Sequence, residues 1–438
     1  MGRRILLIGS GAREHVIAET LLRSRHEVEI FVVGSSMNPG LRPLCADYVV
    51  GNICDTAFVG EFAARVKPDF AVVGPEAPIE AGVVDYLAGM GVKSCSPLQT
   101  VGRLESSKGF TRDLLRKYEI PGNPKFRVFE NEEGLEEFFA ELGGEFVVKA
   151  DGLKGGKGVK LSGEHLDGVA EGVAYAKECL ADDGRVVVEE KFVGQEFSLM
   201  SFCDGSNTVE MPCVQDHKRA YDGDKGPNTG GMGTYSDANG LLPFLSESDV
   251  AEAAEITRMV AAALKEETGV EFKGIMYGGF IAVRDGVRLI EYNARFGDPE
   301  AMNVLTLLKT DLVDIFEAMI AGELDKLKVE FEAKATVCKY VVPEGYPDAP
   351  VKGVAIEISD VPSGVKVYYA SVDAREDGLY LGGSRAVAMV GIADTLEEAS
   401  KIADAGVQCV KGPVFYRRDI GTAALIDARV TMMRQIRG

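Results

Sequence analysis

Between Val214 and Thr234 the chain reads V-Q-D-H-K-R-A-Y-D-G-D-K-G-P-N-T-G-G-M-G-T, so that His217, Lys218, Arg219, Asp222, Asp224 and Lys225 bring both signs of charge into one stretch. Gly226, Gly230, Gly231, Gly233 and Pro227 work against regular secondary structure there. The expectation is a loop without helix or strand, shaped either by solvent or by a ligand. A second concentration of chemistry is L-I-E-Y-N-A-R-F-G-D-P-E, residues 289 to 300. A period of two places Glu291, Asn293 and Arg295 on one face of a strand, two oxygen donors and a cation in line. Magnesium takes one or two protein oxygens together with phosphates and water, and a guanidinium stabilises charge on a transferring phosphoryl group. The plainer alternative is a half-exposed strand, whose inward set would be unusually polar beside Leu289, Ile290 and Phe296.

The run G-L-K-G-G-K-G, residues 152 to 158, can expose successive amides to phosphate while its lysines answer the charge. It is not a Walker A loop. No Ser or Thr follows Lys157, and Gly158 leads into the strand-like V-K-L where a helix would be required. A lid over a triphosphate fits better, with Lys149 projecting from the preceding strand toward the same phosphates; the alternative for Lys149 is a strand-end lysine snorkelling to solvent. In V-V-V-E-E-K-F-V-G-Q-E, residues 186 to 196, a strand end could read a base through its backbone, and Glu196 offers ribose hydroxyls an acceptor. Paired acids after a strand are also common as a solvated edge. Near the start, Gly9-Ser10-Gly11-Ala12-Arg13-Glu14-His15 is a glycine turn feeding a helix, which favours an anion or is simply structural. A dinucleotide is excluded: Glu14 replaces the third glycine, and the second strand ends in Gly34-Ser35-Ser36 without an acid. Pro75 and Glu76 follow the strand end Val73-Gly74 at the carboxyl edge of the same sheet.

Elements that could position these residues follow from periodicity. The first hundred residues alternate apolar runs (5 to 9, 28 to 33, 69 to 74) with helical spacing, a βαβ pattern that predicts a doubly wound parallel sheet. After Ser106-Ser107-Lys108 a helix to about Tyr118 leads into a module of two strand pairs around the glycine loop. A hairpin turning at Asp285-Gly286 and one long helix through about Ile320 come next, and strands at 335 to 342, 354 to 358, 365 to 370 and 386 to 392 precede a helix over 395 to 410. Tyr416-Arg417-Arg418-Asp419-Ile420-Gly421 stands near the end. The 48 basic and 68 acidic residues give a net charge of −20, which argues against nucleic acid or anionic membrane as main partner. Eight cysteines without a C-x-x-C pair indicate neither zinc site nor disulfide framework, and no apolar run nears the roughly 20 residues of a membrane span. Met1-Gly2-Arg3-Arg4 runs straight into a strand without a signal segment. A reduced, cytoplasmic protein is expected.

Taken together, G-S-G-A-R-E-H (9 to 15), G-P-E-A-P (74 to 78), K-A-D-G-L-K-G-G-K-G-V (149 to 159), Q-D-H-K-R with G-P-N-T-G-G-M-G (215 to 219 and 226 to 233) and E-Y-N-A-R-F-G-D-P-E (291 to 300) closely resemble the phosphoribosylamine–glycine ligase family of the ATP-grasp superfamily. The resemblance spans essentially the whole chain. It implies an N-terminal doubly wound domain (1–103), an ATP-grasp region (104–326, with a lid over about 121–191 and a central part over about 192–326) and a C-terminal α+β domain (327–438). It further implies ATP-dependent joining of glycine to 5-phosphoribosylamine through glycyl phosphate, with Mg2+ or Mn2+. By motif match, Lys108, Lys149 and Gly155-Gly156-Lys157 would hold ATP phosphates, Glu190, Lys191 and Val193 the adenine, Glu196 the ribose, and Glu291 and Asn293 the metal. Arg295, Lys149 and Lys157 would be catalytic, with Arg295 on the acyl-phosphate oxygens. Gly11, Arg13, Glu14, Pro75, Glu76, His217, Lys218, Arg219, Asn228, Thr229, Gly230, Gly231, Met232, Asp298 and Arg385 would line the other substrates, His217, Lys218 and Arg219 toward phosphates and Asp298 toward the glycine ammonium.

Three positions depart from the family pattern. Gly278 and Gly279 stand where relatives often carry a further acidic ligand, Gly382-Gly383-Ser384-Arg385 replaces Ser-Gly-Gly-Arg, and Gly11-Ala12-Arg13 replaces Gly-Gly-Arg. A different ATP-grasp carboxylate–amine ligase would share the lid and Glu-x-Asn-x-Arg but lack G-P-N-T-G-G-M-G. A non-catalytic nucleotide sensor would lack the reactive set that Lys149, Glu291, Asn293 and Arg295 keep together.

Overall fold

A computed structural model describes residues 2–154 and 158–438. Arg3–Ile8 (β1), Val28–Gly34 (β2), Asp47–Val50 (β3), Phe70–Val73 (β4) and Lys93–Ser94 (β5) form a parallel sheet in the order β3-β2-β1-β4-β5. Ile5 to Ile8 are fully buried, as expected for a central strand covered on both faces. Strand order reverses at β1, so the crevice beyond the carboxyl ends of β1 and β4 is this sheet's natural ligand edge. The turn at Gly9–Gly11 and the Pro75–Glu76 helix start both open there.

Phe126–Phe129 (β6), Phe146–Ala150 (β7), Val159–Leu161 (β8) and Val186–Glu190 (β9) make a single four-stranded sheet, β6-β9-β7-β8, in place of the two separate pairs expected from the sequence. The joining strand is β9, whose apolar run pairs on both sides. Helices Leu135–Glu141 and Val169–Asp183 cover one face through Phe138, Phe139, Val173 and Ala176.

Gln195–Asp204 (β10) and Thr208–Glu210 (β11) lead to Gln215–Asp216 (β12), Arg219–Tyr221 (β13), Lys225–Asn228 (β14) and Gly233–Ser236 (β15), and then to the long hairpin Lys273–Val283 (β16) and Gly286–Asn293 (β17). β11, β10, β16 and β17 form an antiparallel sheet. Its register slips once: Gly279 faces Glu291 while Phe280 faces Leu289, leaving Ile290 as a bulge. The strand stops at Asn293, so Arg295 lies beyond it and does not share a strand face with Glu291 and Asn293.

The rest of the chain contains Ala335–Pro343 (β18), Ala355–Ile358 (β19), Val365–Tyr369 (β20), Val372–Arg375 (β21), Gly378–Leu381 (β22) and Val387–Ala393 (β23). Here the expectation for residues 214 to 234 is overturned. β12 and β15 belong to the sheet β12-β15-β18-β23-β20, and β13 and β14 pair with each other as a hairpin. The glycines permit this pairing rather than prevent it: at Gly233, φ +152°, a Cβ would sit 2.3 Å from the Cys338 carbonyl oxygen. The long helix expected after β17 is two, Glu300–Leu307 and Leu312–Ala321, because the Asp311 side chain accepts from Val313 N and caps the second. All eight cysteines are free, and no helix among the described residues is long and apolar enough to cross a membrane.

Helix Leu396–Val407 lies so close to β23 that a Cβ on Gly391 would be 2.0 Å from the Ala399 carbonyl oxygen and 2.8 Å from Ala403 N. Both obstacles are backbone and cannot rotate away. Gly391→Ala is expected to cost about 1–3 kcal/mol, the scale of overpacking, read as a lower urea midpoint; an unchanged midpoint would show that the helix moves aside freely.

Candidate active site

A cavity of about 860 Å³ opens between the parallel-sheet edge, the β6–β9 sheet, the β10–β17 sheet and the C-terminal strands, and most of the described candidate residues meet on its wall, Gly11, Glu14, Val193, Gly231 and Met232 excepted. Gly155, Gly156 and Lys157 lie outside the described residues. At one end Lys149 is 3% exposed, which rules out a snorkelling role, and its Nζ donates to Glu189 Oε2 and to the Ile290 carbonyl, each at 2.8 Å. Arg112 donates to the same carboxylate at 2.6 and 3.0 Å and to the same carbonyl at 2.7 Å. The bulge is what frees that carbonyl from the strand ladder. Burial pulls Lys149 below its ordinary pKa; burial opposes ionisation of Glu189 too, but Arg112 and Lys149 outweigh it and hold that carboxyl low. Lys108 Nζ lies 3.0 Å from the Gly152 carbonyl at the start of the glycine loop.

Beside this group, Glu291 faces Lys218 Nζ at 3.8 Å, and the same ammonium is 3.8 Å from Glu196. Burial would raise Glu291, yet Lys218, Lys108 and Lys149 hold it below the usual carboxylate range. Arg295 donates to Asn293 Oδ1 at 3.1 Å and pairs with Glu105 at 3.0 Å and Glu76 at 3.4 Å. An ionised carboxylate and an amide oxygen two residues apart suit a hard divalent cation that completes its shell with phosphate and water. Gly279 sits opposite Glu291, so β16 supplies no carboxylate at that register position.

The β12–β15 segment forms the far wall. Arg385 reaches across and donates to the carbonyls of Gly230 (2.6 Å), Gly231 (3.3 Å) and Asp298 (2.8 Å), with Asp298 Oδ2 3.4 Å away. Asp298 Oδ1 also accepts from Tyr340 Oη at 2.6 Å. A Cβ on Gly231, φ +109°, would meet Asp216 Oδ1 at 2.7 Å and Pro299 at 2.8 Å, so only glycine lets this backbone enter. Thr229 folds back on Lys218, donating to its carbonyl from N (2.7 Å) and Oγ1 (2.8 Å).

Several residues stand differently from their expected roles. His217 is buried, its Nδ1 lies 3.0 Å from the Gly233 carbonyl, and burial together with Arg417 pushes its pKa down to about 4, so it is neutral and cannot serve as a phosphate cation. Arg219 is committed to the Gly226 carbonyl (2.8 Å) and Glu164 (2.7 Å), not to an open phosphate site. Met232 is packed in the core with no exposed surface and is not on the cavity wall. Glu14 is buried and takes Gly11 N (2.6 Å) and Arg13 Nε (2.7 Å), so it braces the turn, while Arg13 reaches the Phe296 carbonyl at 3.2 Å. On the nucleotide side, Glu190 accepts from Lys125 N at 2.7 Å, Lys191 reaches the Ser162 carbonyl at 2.6 Å, Asn228 approaches His165 at 3.4 Å, and Val193 is 60% exposed.

Sequence reasoning passed over Arg112, Glu189, Glu105, Asp216, Glu300 and Tyr277. Alternation along β9 was the available signal for Glu189, since it points opposite to Glu190. Asp216 and Glu300 stood inside the motifs of residues 215 to 219 and 289 to 300, and the fold brings both to the cavity wall. Burial and the nearby Glu300 push the Asp216 carboxyl well above its ordinary range, and Tyr277 Oη donates to Glu300 Oε1 at 2.8 Å.

Family models described as phosphoribosylglycinamide synthetase N domain, ATP-grasp (A) domain and C domain match residues 3–105, 106–301 and 336–423. The phosphoribosylamine–glycine ligase of Methanosarcina barkeri is 45% identical over 435 residues, covering 99% of this chain and all of that protein. The crystal structure of phosphoribosylamine–glycine ligase from Thermotoga maritima superposes with a TM-score of 0.79 at 28% identity, covering 95% of this chain and 99% of that one. At the level of fold alone, the biotin carboxylase domain of Hydrogenobacter thermophilus 2-oxoglutarate carboxylase, in complex with MgADP, ADP and bicarbonate, matches with a TM-score of 0.71 at 16% identity, over 99% of this chain and 94% of that one.

Two buried histidines set an acid limit. His15, whose Nδ1 accepts from Tyr369 N at 3.1 Å, and His217 both titrate near pH 4 in the fold, chiefly through burial, against about 6.5 when unfolded. Between those values the unfolded chain binds the extra protons, so stability falls as pH drops from about 6.5 to 4, by on the order of 3 kcal/mol per histidine. Urea unfolding across that window should show the loss, and His15→Gln should flatten the difference; parallel pH curves for both proteins would refute it.

Proposed function

The chain belongs to the phosphoribosylamine–glycine ligase family and is an ATP-dependent carbon–nitrogen ligase joining glycine to 5-phosphoribosylamine in purine biosynthesis, and we propose that the residues of its cavity divide that reaction as follows. Lys108 and Lys149, with the glycine loop, take the ATP phosphates. Backbone around Glu190, Lys191 and Val193 takes the adenine, and Glu196 the ribose. Glu291 and Asn293 hold Mg2+ or Mn2+, which when bound neutralises phosphate charge. The parallel-sheet edge at Gly11, Arg13, Pro75 and Glu76, with Lys218 and the backbone of Asn228 to Gly231, receives the sugar phosphate. Asp298, backed by Asp216 and Glu300, forms an acidic end suited to the glycine ammonium.

In the first step a glycine carboxylate oxygen attacks the γ-phosphorus and the bond to the ADP oxygen breaks, giving glycyl phosphate. In the second, the sugar amine attacks the acyl carbon, the carbon–oxygen bond to phosphate breaks, and the nitrogen gives up a proton. Carboxylate and γ-phosphate repel each other, so the first step needs fixed positive charge at their meeting point and little water. Arg295 supplies that charge. What supports this reading is one observation above the rest: Lys149, Glu291, Asn293, Arg295 and Asp298 line a single cavity that also reaches the parallel-sheet edge. The free cysteines are in keeping with work in the reducing cytoplasm.

ADP release with ATP, magnesium and phosphoribosylamine formed in situ tests the reading: glycine should stimulate it, while alanine, serine and bicarbonate should not, and no stimulation by glycine would sink it. Arg295→Ala should lower kcat by roughly 10²–10³, the scale for losing one such donor. Turnover near that of the unaltered protein would remove Arg295 from this role.

A further inference from the structure

The motif Tyr416 to Gly421 forms no part of the cavity wall, yet it grips the hairpin that does. The Arg417 side chain is completely buried. Its Nη1 donates to Asp224 Oδ1 (2.9 Å) and to the Arg219 carbonyl (3.1 Å), and its Nε and Nη2 form a fork on Asp419 (2.9 and 2.6 Å). Asp419 in turn accepts from Gly223 N at 2.9 Å, and Arg418 N donates to Asp222 Oδ1 at 2.8 Å. Arg429, from the helix Ala423–Arg437, closes on the other oxygen of Asp224. The turn between β13 and β14 is therefore held on both sides, and Asp224 keeps a left-handed backbone, φ +54°, inside that grip.

His217 stands at the base of the same hairpin. Its backbone is tied on both sides, to the Gly233 carbonyl at 3.1 Å and from Met232 N at 2.9 Å, and its ring leans on Tyr235 with centroids 5.7 Å apart. A carbonyl can only accept, so Nδ1 carries the hydrogen and Nε2 presents a lone pair. That Nε2 is buried and has no hydrogen-bond partner among the described residues, and Arg429 Nε is in the same position; both residues line the cavity. Buried polar atoms in native folds rarely stay unpaired without a functional reason or a bound water.

Chemistry narrows what could complete this corner. Phosphate and carboxylate are acceptors, so neither satisfies an imidazole lone pair. An ammonium would meet the positive charges of Arg417 and Arg429. A hydroxyl donates to the one atom and accepts from the other; the neutral sugar amine could do the same, but its lone pair must stay free to attack the acyl carbon, and with the ATP ribose given to Glu196 the hydroxyls of phosphoribosylamine are left for this corner. We propose that Arg417 is a positioning residue for the sugar substrate: by fixing the hairpin tip it holds His217 so that Nε2, together with Arg429 Nε–H, takes one ribose hydroxyl of phosphoribosylamine. The inference rests on the family activity and assigns one polar end of the same cavity.

Three variants test it. His217→Asn keeps a group near Nδ1 but deletes the Nε2 position, His217→Gln restores an acceptor there, and Arg417→Lys keeps the buried charge but loses the fork. For His217→Asn and Arg417→Lys, KM for phosphoribosylamine should rise roughly tenfold, the loss of about one hydrogen bond, while KM for ATP and for glycine stays within about twofold. His217→Gln should recover part of the loss. Calorimetric binding of ribose 5-phosphate, which needs no turnover, should weaken by the same factor, so this inference can stand or fall apart from the activity. An unchanged sugar KM and ribose 5-phosphate affinity in His217→Asn would mean that Nε2 meets only water and would overturn the proposal. An equal rise in all three KM values for Arg417→Lys would reduce Arg417 to a structural residue and overturn it as well.

Discussion

The Ile290 carbonyl, released from its strand by a single bulge, is the point on which the reactive end of this molecule depends. Two cations, Arg112 and Lys149, converge on it and on the carboxylate of Glu189. They arrive from different places: Arg112 from the helix Lys108–Lys117, Lys149 from β7, Glu189 from β9, and the carbonyl from β17. Removing Glu189 would leave two buried cations without their shared carboxylate, a cost of several kcal/mol, whereas a buried ion group with all its partners in place adds little net stability. Its contribution is therefore geometric. It fixes the β6–β9 sheet against the β10–β17 sheet at the place proposed above for the triphosphate, and Glu291 and Asn293 follow from the same bulge, because the slip in register sets which way the end of β17 faces.

The opposite wall obeys a different constraint. Residues 214 to 234 join two sheets: Val214 makes a two-way backbone bridge to Ser198 of β10, in the sheet that carries Glu291, and through β12 and β15 the segment forms the edge of the sheet that contains β18 and β23. Arg385 on its carbonyls and Arg417 on its hairpin give that wall two further ties to the same region. The hairpin also touches the β6–β9 sheet region, through Arg219 to Glu164 and Asn228 to His165. One short segment thus contacts both halves of the cavity.

Much of this was legible in the sequence, and the part that was not has a common cause. The parallel sheet, the hairpin at Asp285-Gly286 and the C-terminal strands follow from apolar periodicity, which survives averaging over neighbours. Glu291, Asn293 and Lys149 stood out because polar residues interrupt an apolar strand. The strands inside 214 to 234 were hidden because their pairing partner, β18, lies a hundred or so residues away and because glycine, read locally, argues against a strand. Glycine here answers a close approach between backbones, which only the partner reveals. Protonation was equally out of reach: His217 in a run of charged residues reads as a cation, and only burial beside Arg417 makes it neutral. Arg219 and Arg385 look like phosphate ligands by type, but a guanidinium already spent on carbonyls and a carboxylate has few donors left.

Charge balance at Arg295 carries the argument one step further. The guanidinium is shared among Glu105, Glu76 and Asn293 Oδ1, with Glu105 the closest at 3.0 Å and Glu76 the most distant at 3.4 Å. Burial raises the Glu105 carboxyl above its ordinary value even though Arg295 opposes that shift, so its negative charge is costly to keep where it is. Glu105 has a second partner in Ala294 N at 2.7 Å, which anchors it; Glu76 opens on the sheet edge and is the more exposed of the two. In the role proposed above for Arg295, an incoming phosphate oxygen would therefore displace Glu76 first and leave Glu105 in place to orient the fork. A cation so arranged is positioned before substrate arrives, yet keeps one weakly engaged face free to follow developing charge, which is the condition under which a fixed donor favours a transition state over a ground state.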